Sequence, residues 1–117
     1  MSDTSPVLTW EREGPVVVLT LNRPDTRNMI SVELTDAIVA ACAKLHADTS
    51  ARCAILTAHG SVFCAGGNLQ AMHRREHHFA GNPAQIRSYY DTGVQRLARA
   101  FAGLDVPVIA AVNGPAI

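Results

Sequence analysis

Two adjacent glycines, Gly66 and Gly67, lie where backbone N–H groups could bind a polarised oxygen atom. They belong to SVFCAGGNLQ, residues 61–70, which follows an apolar run that predicts a strand and leads into a predicted helix. A turn from a strand into a helix exposes N–H groups near the positive end of the helix dipole. Because glycine also lets a ligand approach the main chain closely, the pair is a candidate site for an anion or a carbonyl.

The residues around the turn favour a carbonyl over a phosphate. The stretch matches neither of the common glycine-rich phosphate motifs, and no Lys or hydroxyl residue follows the glycines. Phe63, Cys64 and Ala65 are apolar, and a backbone donor between apolar walls suits an oxygen on which charge develops during a reaction. On local residues alone, a purely structural strand-to-helix turn remains an open alternative.

The composition predicts a small domain with an aliphatic core. The chain has 117 residues, of which 48% are hydrophobic and 5% aromatic, and its formal net charge is zero. Such a charge balance provides no electrostatic footprint for nucleic acid or an anionic membrane. No secretory signal opens the sequence, and no apolar run approaches the ~18 residues of a membrane span. We therefore expect neither a nucleic-acid nor a membrane partner.

Cysteines and histidines offer weaker candidate sites. Three cysteines without CxxC spacing argue against a disulfide framework or a zinc site, and free thiols fit a reducing, cytoplasmic location. His73 and His77 are four residues apart and could share a helix face, but a third ligand is missing, so we predict no metal site. Cys64 has no partner base in its motif, which favours an apolar wall over a nucleophile.

The hydrophobic pattern predicts strands that alternate with helices. The predicted strands are residues 7–11, 16–22, 53–58 and 108–112, and the predicted helices are 31–46, 68–72 and 83–102. Ser31 and Asn82 are the expected N-caps of the two longer helices. Continuous apolar strands favour parallel pairing, so 83–102 should be the crossover between the last two strands. The polar segment 73–81 is expected to be irregular and mobile.

Three stretches of the chain resemble the crotonase (enoyl-CoA hydratase/isomerase) family. LTLNRPDTRNMIS, AILTAHGSVFCAGGNLQAM and VPVIAAVNGPAI occur in the family's order and at about its separations, and FCAGGNL is the most specific block. The resemblance implies an α/β fold, the crotonase-like (ClpP/crotonase) spiral of ββα units. It also implies that residues 1–117 are the N-terminal part of a single domain that is incomplete at its C-terminal end.

The resemblance also implies roles for individual residues. Gly67 would be the catalytic residue, because its backbone N–H would donate to the thioester carbonyl in an oxyanion hole. The residues implied in binding the substrate and its coenzyme A portion are Arg27, Met29, Ala65, Gly66, Asn68 and Leu69. Coenzyme A is part of the substrate, so no separate cofactor is implied. Asn68 departs from the Asp of many members, yet Asn caps a helix equally well.

The implied activity is hydration of a 2-enoyl-CoA, with enoyl-CoA isomerisation or non-catalytic acyl-CoA binding as alternatives. No Asp or Glu lies between Ala51 and His73, and Asp91 should lie on the exposed side of its helix. In the family, the second oxyanion donor and the acid/base carboxylates follow the NGPAI motif, beyond Ile117. The segment by itself is thus expected to be inactive. The whole protein is expected to be a homotrimer or a dimer of trimers.

Overall fold

The computed structural model describes residues 4–117, which form a four-stranded mixed sheet with helices packed against it. The strands are β1 (Leu8–Glu13), β2 (Val16–Leu21), β3 (Cys53–Ala58) and β4 (Val108–Ala110). The helices are α1 (Val32–Ala47), α2 (Leu69–Arg74), α3 (Pro83–Thr92) and α4 (Gln95–Ala102). Short 3-10 turns cover Pro24–Thr26 and His77–Phe79.

The strands are ordered β1-β2-β3-β4 across the sheet. β1 and β2 form an antiparallel hairpin through a turn at Gly14 and Pro15, whereas β2, β3 and β4 are parallel. The predicted α/β class and the parallel pairing of the last two strands are therefore confirmed. The last strand is shorter than predicted, because pairing with β3 ends at Ala110 rather than at Val112.

Helix α1 supplies most of the core by packing on one face of the sheet. Its buried residues recur at helical spacing, and Leu34, Ile38 and Leu45 are each 2% exposed. Alternate residues of β2 meet them: Val17 and Leu19 are completely buried. This aliphatic layer fixes the sheet on which the loops of the candidate site are carried.

Both predicted N-caps are confirmed. The Ser31 hydroxyl accepts a hydrogen bond from the Leu34 N–H at 3.0 Å, which starts α1. The Asn82 side chain accepts from the Gln85 N–H, and the Gln85 side chain accepts from the Asn82 N–H, both at 2.9 Å. This reciprocal pair is a capping box, so α3 begins where the sequence predicts.

The prediction of one continuous helix over 83–102 is wrong. The chain breaks at Gly93, whose backbone lies at φ −109° and ψ −108°, and α3 and α4 are separate helices. A Cβ atom at Gly93 would overlap the carbonyl oxygen of Tyr89, so the break depends on glycine. Helix α4 packs against α1, while α3 turns toward the 3-10 turn at 77–79.

The polar segment 73–81 is more regular than predicted. It contains the end of α2 and the 3-10 turn, with Arg75 and His77 at positive φ angles of 54°. Because α2 ends at Arg74, His73 and His77 do not share a helix face. Across residues 4–117, no helix combines the length and apolarity needed to cross a membrane.

Candidate active site

The loops that follow β2, β3 and β4 meet at one edge of the sheet. These three strands are parallel, so their carboxyl ends point the same way, and this edge is where open parallel sheets commonly bind ligands. The Asn113 side chain donates to the Gly60 carbonyl at 3.0 Å, and the Thr57 hydroxyl donates to the Ala111 carbonyl at 3.0 Å. The Gly-Gly turn therefore lies in the middle loop of three.

Main-chain hydrogen bonds join the middle loop to its neighbour on one side. The Ala65 N–H donates to the Arg27 carbonyl at 3.0 Å, and the Ile30 N–H donates to the Gly66 carbonyl at 2.8 Å. The loop after β2 thus fixes both residues that precede Gly67, and it holds their backbone in a single position.

The segment after β4 holds the other side of the same loop. The Cys64 N–H donates to the Pro115 carbonyl at 3.3 Å, and the Ile117 N–H donates to the Cys64 carbonyl at 2.9 Å. Cys64 and Ala116 form a parallel bridge. The side chain of Cys64 packs against the apolar cluster beneath α1.

Asn28 links two of the loops through its buried side chain. It is 1% exposed and has φ +53°, a conformation that Asn tolerates better than most residues. Its amide NH₂ donates to the carbonyls of His59 and Val62, both at 3.0 Å, and its amide oxygen accepts from the Arg23 N–H at 2.8 Å. Sequence reasoning missed this residue, since a polar side chain in a loop carries no local signal of burial.

Gly66 and Gly67 serve different geometric needs. Gly66 has φ +82°, where a side chain is strained, and a Cβ atom there would lie 3.0 Å from the Ile117 carbonyl oxygen. At Gly67 a Cβ atom would meet only the terminal methyl of Met72, at 2.5 Å. Within residues 4–117 the Gly67 N–H donates no hydrogen bond. A main-chain donor is thus available at the turn.

Gly67 lies on the wall of a cavity of about 430 Å³ between α1, α2 and α3. Its lining is mainly apolar and includes Met29, Ile30, Met72, Phe79 and Val94. Two ring pairs stand on the α3 side, with His78 5.5 Å from Tyr89 and Phe79 6.0 Å from Tyr90, measured between centroids. The volume is within the range of small-molecule sites.

The predicted site residues occupy three kinds of position. Met29, Gly67 and Asn68 line the cavity, and the Asn68 side chain caps α2 by accepting from the Ala71 N–H at 3.0 Å. Ala65 and Gly66 belong to the hydrogen-bonded middle loop. The side chains of Arg27 and Leu69 are exposed, with Leu69 at 74%, so neither lines this cavity.

Few charged groups line the cavity. One of them is Arg96, which sequence reasoning missed. Among the described residues the lining contains no carboxylate, and its titratable side chains are His77, His78, Tyr89, Tyr90 and Arg96. Asp91 is exposed, as predicted, and pairs with Arg99. Over the described range, no three His, Cys, Asp or Glu side chains come together as a metal site.

The thiols differ in their surroundings. Cys42 lies in the core under α1, and burial raises its pKa, so it stays protonated and unreactive at neutral pH. Cys53 and Cys64 are half-buried and free. No histidine or carboxylate contacts Cys64 in a way that would activate it as a nucleophile within the described residues.

Comparison with known proteins identifies the family. Residues 11–117 match the sequence profile described as enoyl-CoA hydratase/isomerase. The chain belongs to the enoyl-CoA hydratase/isomerase family. Enoyl-CoA hydratase EchA19 of Mycobacterium tuberculosis is 36% identical over 115 residues, which are 98% of this chain and 42% of that protein. The predicted family and the crotonase-like fold are thereby confirmed.

Solved structures of enoyl-CoA hydratase/isomerase relatives have the same fold. An enoyl-CoA hydratase of Mycobacterium smegmatis superposes with a TM-score of 0.78 at 34% identity, over 92% of this chain and 40% of that one. An enoyl-CoA hydratase/carnithine racemase of Magnetospirillum magneticum has a TM-score of 0.81 at 27% identity, over 96% and 40%. The chain spans about two fifths of the length of these relatives.

Proposed function

We propose that the whole protein carrying these residues acts on acyl-CoA thioesters and adds water to a 2-enoyl-CoA. The observation that carries this proposal is Gly67, which lines an apolar cavity and whose N–H has no acceptor among residues 4–117. The chain's membership of the enoyl-CoA hydratase/isomerase family supports the thioester as the substrate class. Since the chain covers only part of its relatives' length, we also propose that it is the N-terminal part of a longer domain.

Gly67 would act through its main chain. Addition of water places a hydroxyl on C3 and a proton on C2, and negative charge develops on the thioester oxygen as the new bond forms. An N–H already directed at that oxygen stabilises the charge without reorganisation, and more strongly between apolar walls than in water. The hydrogen bonds of Ala65 and Gly66 to the neighbouring loop hold the donor in place.

The coenzyme A portion would lie along the outer side of the same loops. The exposed Arg27 side chain makes no ion pair or hydrogen bond within the described residues, which leaves its charge available for a phosphate. Met29 lies on the cavity wall and would contact the acyl group, while Ala65, Gly66, Asn68 and Leu69 would border the pantetheine. We propose a cytoplasmic enzyme that assembles as a trimer or a dimer of trimers and needs no separate cofactor.

The acid/base groups would come from residues outside the described range. No carboxylate lines the cavity within it, so the general base that holds water and the acid that protonates C2 would follow in the chain. The same observation favours a second candidate, a protein that binds acyl-CoA without chemistry. The carboxylates in that later part of the chain would discriminate an enoyl-CoA isomerase from a hydratase.

Substitution of Gly67 in the whole protein tests the proposed donor. Gly67→Pro deletes the N–H and should lower kcat for crotonyl-CoA by about 10²–10³, while KM changes less because the ground-state carbonyl is weakly charged. Gly67→Ala is the matched control: it keeps the N–H and displaces only the Met72 methyl, so most activity should remain. The measurements are kcat, KM and Tm for each variant.

Three outcomes separate the candidates. Loss of the conjugated enoyl absorbance by wild-type protein supports hydration, and conversion of a 3-enoyl to a 2-enoyl thioester without it supports isomerisation. Binding without turnover of either thioester supports the non-catalytic candidate. A folded Gly67→Pro protein with full activity, together with an inactive Cys64→Ser protein, would contradict the oxyanion role and point to a thiol nucleophile.

A further inference from the structure

The aromatic side chains of this protein are concentrated on one wall of the cavity. The sequence has three Phe, two Tyr and one Trp, and Phe79 together with both tyrosines, Tyr89 and Tyr90, lines the cavity. His78 adds a fourth ring to the same lining. In contrast, the buried core over residues 4–117 contains no aromatic side chain. The rings are thus collected at the candidate site rather than in the core.

Packing of the fold does not account for the two tyrosines. Tyr89 and Tyr90 are 39% and 36% exposed, and helix α3, which carries them, has no buried residue. Large exposed side chains that meet around one concave site are typical of a binding surface. A ligand in the cavity would cover surfaces of these rings that the protein itself leaves open.

The arrangement of the rings leaves room for a further ring beside them. The planes of His78 and Tyr89 are tilted by 40°, and those of Phe79 and Tyr90 meet edge to face at 68°. A tilted pair does not cover the faces of its rings as a parallel stack would. Because aromatic rings prefer offset or edge-to-face neighbours, the open faces and edges suit another aromatic group.

The aromatic wall and the Gly-Gly turn belong to different sides of the cavity. Gly67 is next to Met72 of α2, since a Cβ atom on the glycine would lie 2.5 Å from the Met72 terminal methyl. The rings are carried by the 3-10 turn at 77–79 and by α3. A thioester bound at Gly67 would therefore have its acyl group between Met72 and the rings.

We propose that the cavity selects substrates whose acyl group carries an aromatic ring, which Phe79, Tyr89 and Tyr90 would contact. The inference rests on the proposed function of Gly67 at the thioester. An aromatic ring gains from its geometry against other rings and against the sulfur of Met72, in addition to the gain from burying apolar surface. A saturated acyl group gains from burial alone.

The test compares a matched pair of 2-enoyl-CoA thioesters with the whole protein. Both carry a ring at the end of the same short saturated linker, phenyl in one and cyclohexyl in the other. Cyclohexyl is the slightly larger and more apolar ring, so burial alone would not favour phenyl. Wild type should have a kcat/KM about fivefold higher for the phenyl substrate, the effect of one favourable aromatic contact. Equal values, or a preference for cyclohexyl, would overturn the proposal.

Matched variants show whether the aromatic wall is the cause. In the double variant Tyr89→Leu with Tyr90→Leu both ring pairs are lost, and the ratio of phenyl to cyclohexyl kcat/KM should fall to near one. Tyr89→Phe with Tyr90→Phe keeps the rings and should retain the preference. A phenyl preference that survives in the leucine variant would contradict the role of this wall.

Both double variants should fold, because α3 has no buried residue, and Tm checks this expectation. If the leucine double variant does not fold, the single variants Tyr89→Leu and Tyr90→Leu replace it, and each should lower the ratio.

Failure of this inference is distinguishable from failure of the proposed function. If no enoyl thioester is turned over, the hydratase proposal fails, and calorimetric Kd values for the saturated phenyl and cyclohexyl acyl-CoA analogues then test the aromatic wall. Tighter binding of the phenyl analogue, lost in the leucine variant, would support the selection of an aromatic ring. Equal Kd values for the two analogues would contradict it.

Discussion

The face of the sheet covered by α1 and the edge where three loops meet are stabilised by different interactions. On the α1 face, aliphatic side chains are buried in two clusters, one of which contains Val17 and Leu19 and the other Leu34. At the loop edge, main-chain hydrogen bonds and the buried side chain of Asn28 connect segments that contain few buried apolar groups. Apolar packing is non-directional, whereas hydrogen bonds fix distance and angle.

The difference follows from what each region has to do. A core needs only volume and apolar surface, which many aliphatic arrangements supply. Under the proposed function, the Gly-Gly turn directs one N–H at a reacting oxygen and must be held to within a fraction of an ångström, which hydrogen bonds to both neighbouring loops can do. Helix α3 has no buried residue, and the cavity beside it leaves room for a ligand.

The largest stability effect should come from the α1 face. Leu19→Ala removes a completely buried side chain and should lower the free energy of unfolding by about 3 kcal/mol, through lost burial and a residual cavity. Leu69→Ala is the matched control, since that leucine is 74% exposed, and it should change stability by less than about 0.5 kcal/mol. Urea unfolding of the whole protein measures both. Equal losses would contradict the contrast in packing.

The free energy of unfolding should fall by a smaller amount, about 2 kcal/mol, in Asn28→Ala, because two carbonyls and one N–H lose a buried partner. Asn22→Ala is its control: among residues 4–117 the Asn22 side chain donates only to the Pro6 carbonyl, in an exposed hydrogen bond, and the loss of that bond should cost less than about 0.5 kcal/mol. Urea unfolding and kcat are measured together. If Asn28 fixes the loops, kcat should fall in Asn28→Ala even at temperatures where the variant is fully folded. An unchanged kcat would show that the Asn28 side chain contributes to stability alone.

Sequence reasoning succeeded where a pattern has a local physical cause. The period of the α1 residues and the caps at Ser31 and Asn82 are decided within a few residues of chain. The Gly-Gly turn was located for the same reason, and the resemblance of FCAGGNL to one family supplied its interpretation.

It failed where the decision depends on distant parts of the chain. The stripe Ile86, Tyr90, Val94, Leu97 and Phe101 keeps a helical period through Gly93, so periodicity cannot detect the break. In the structure Leu97 and Phe101 pack on the core, while Tyr90 and Val94 line the cavity. The same limit hid Asn28 and Arg96, whose partners at His59, Val62 and Asp36 are 31 to 60 residues away.

The smallest effect on stability should come from Asp48, at the C-terminal end of α1 and away from both regions. It tests the contribution of a surface charge rather than that of packing. Hydrogen bonds from the Ser50 hydroxyl and the Ser50 N–H, with the Arg12 guanidinium alongside, lower the pKa of Asp48 from 3.8 to about 2. A lowered carboxyl pKa means that the folded state favours the ionised form. Its stabilising contribution is therefore complete above about pH 4 and is lost as the pH falls toward about 2.

Replacement of Asp48 should consequently flatten the acid end of the stability profile. We expect Asp48→Asn to be slightly less stable than wild type at pH 6, and the difference in Tm should shrink between about pH 4 and about pH 2. Because the group is at the surface, added salt should also reduce the difference at pH 6. Asp25→Asn is the control, as the Asp25 side chain makes no hydrogen bond within residues 4–117. A constant difference in Tm across this pH range would show that the Asp48 charge does not contribute, and that packing and loop hydrogen bonds account for the stability of both regions.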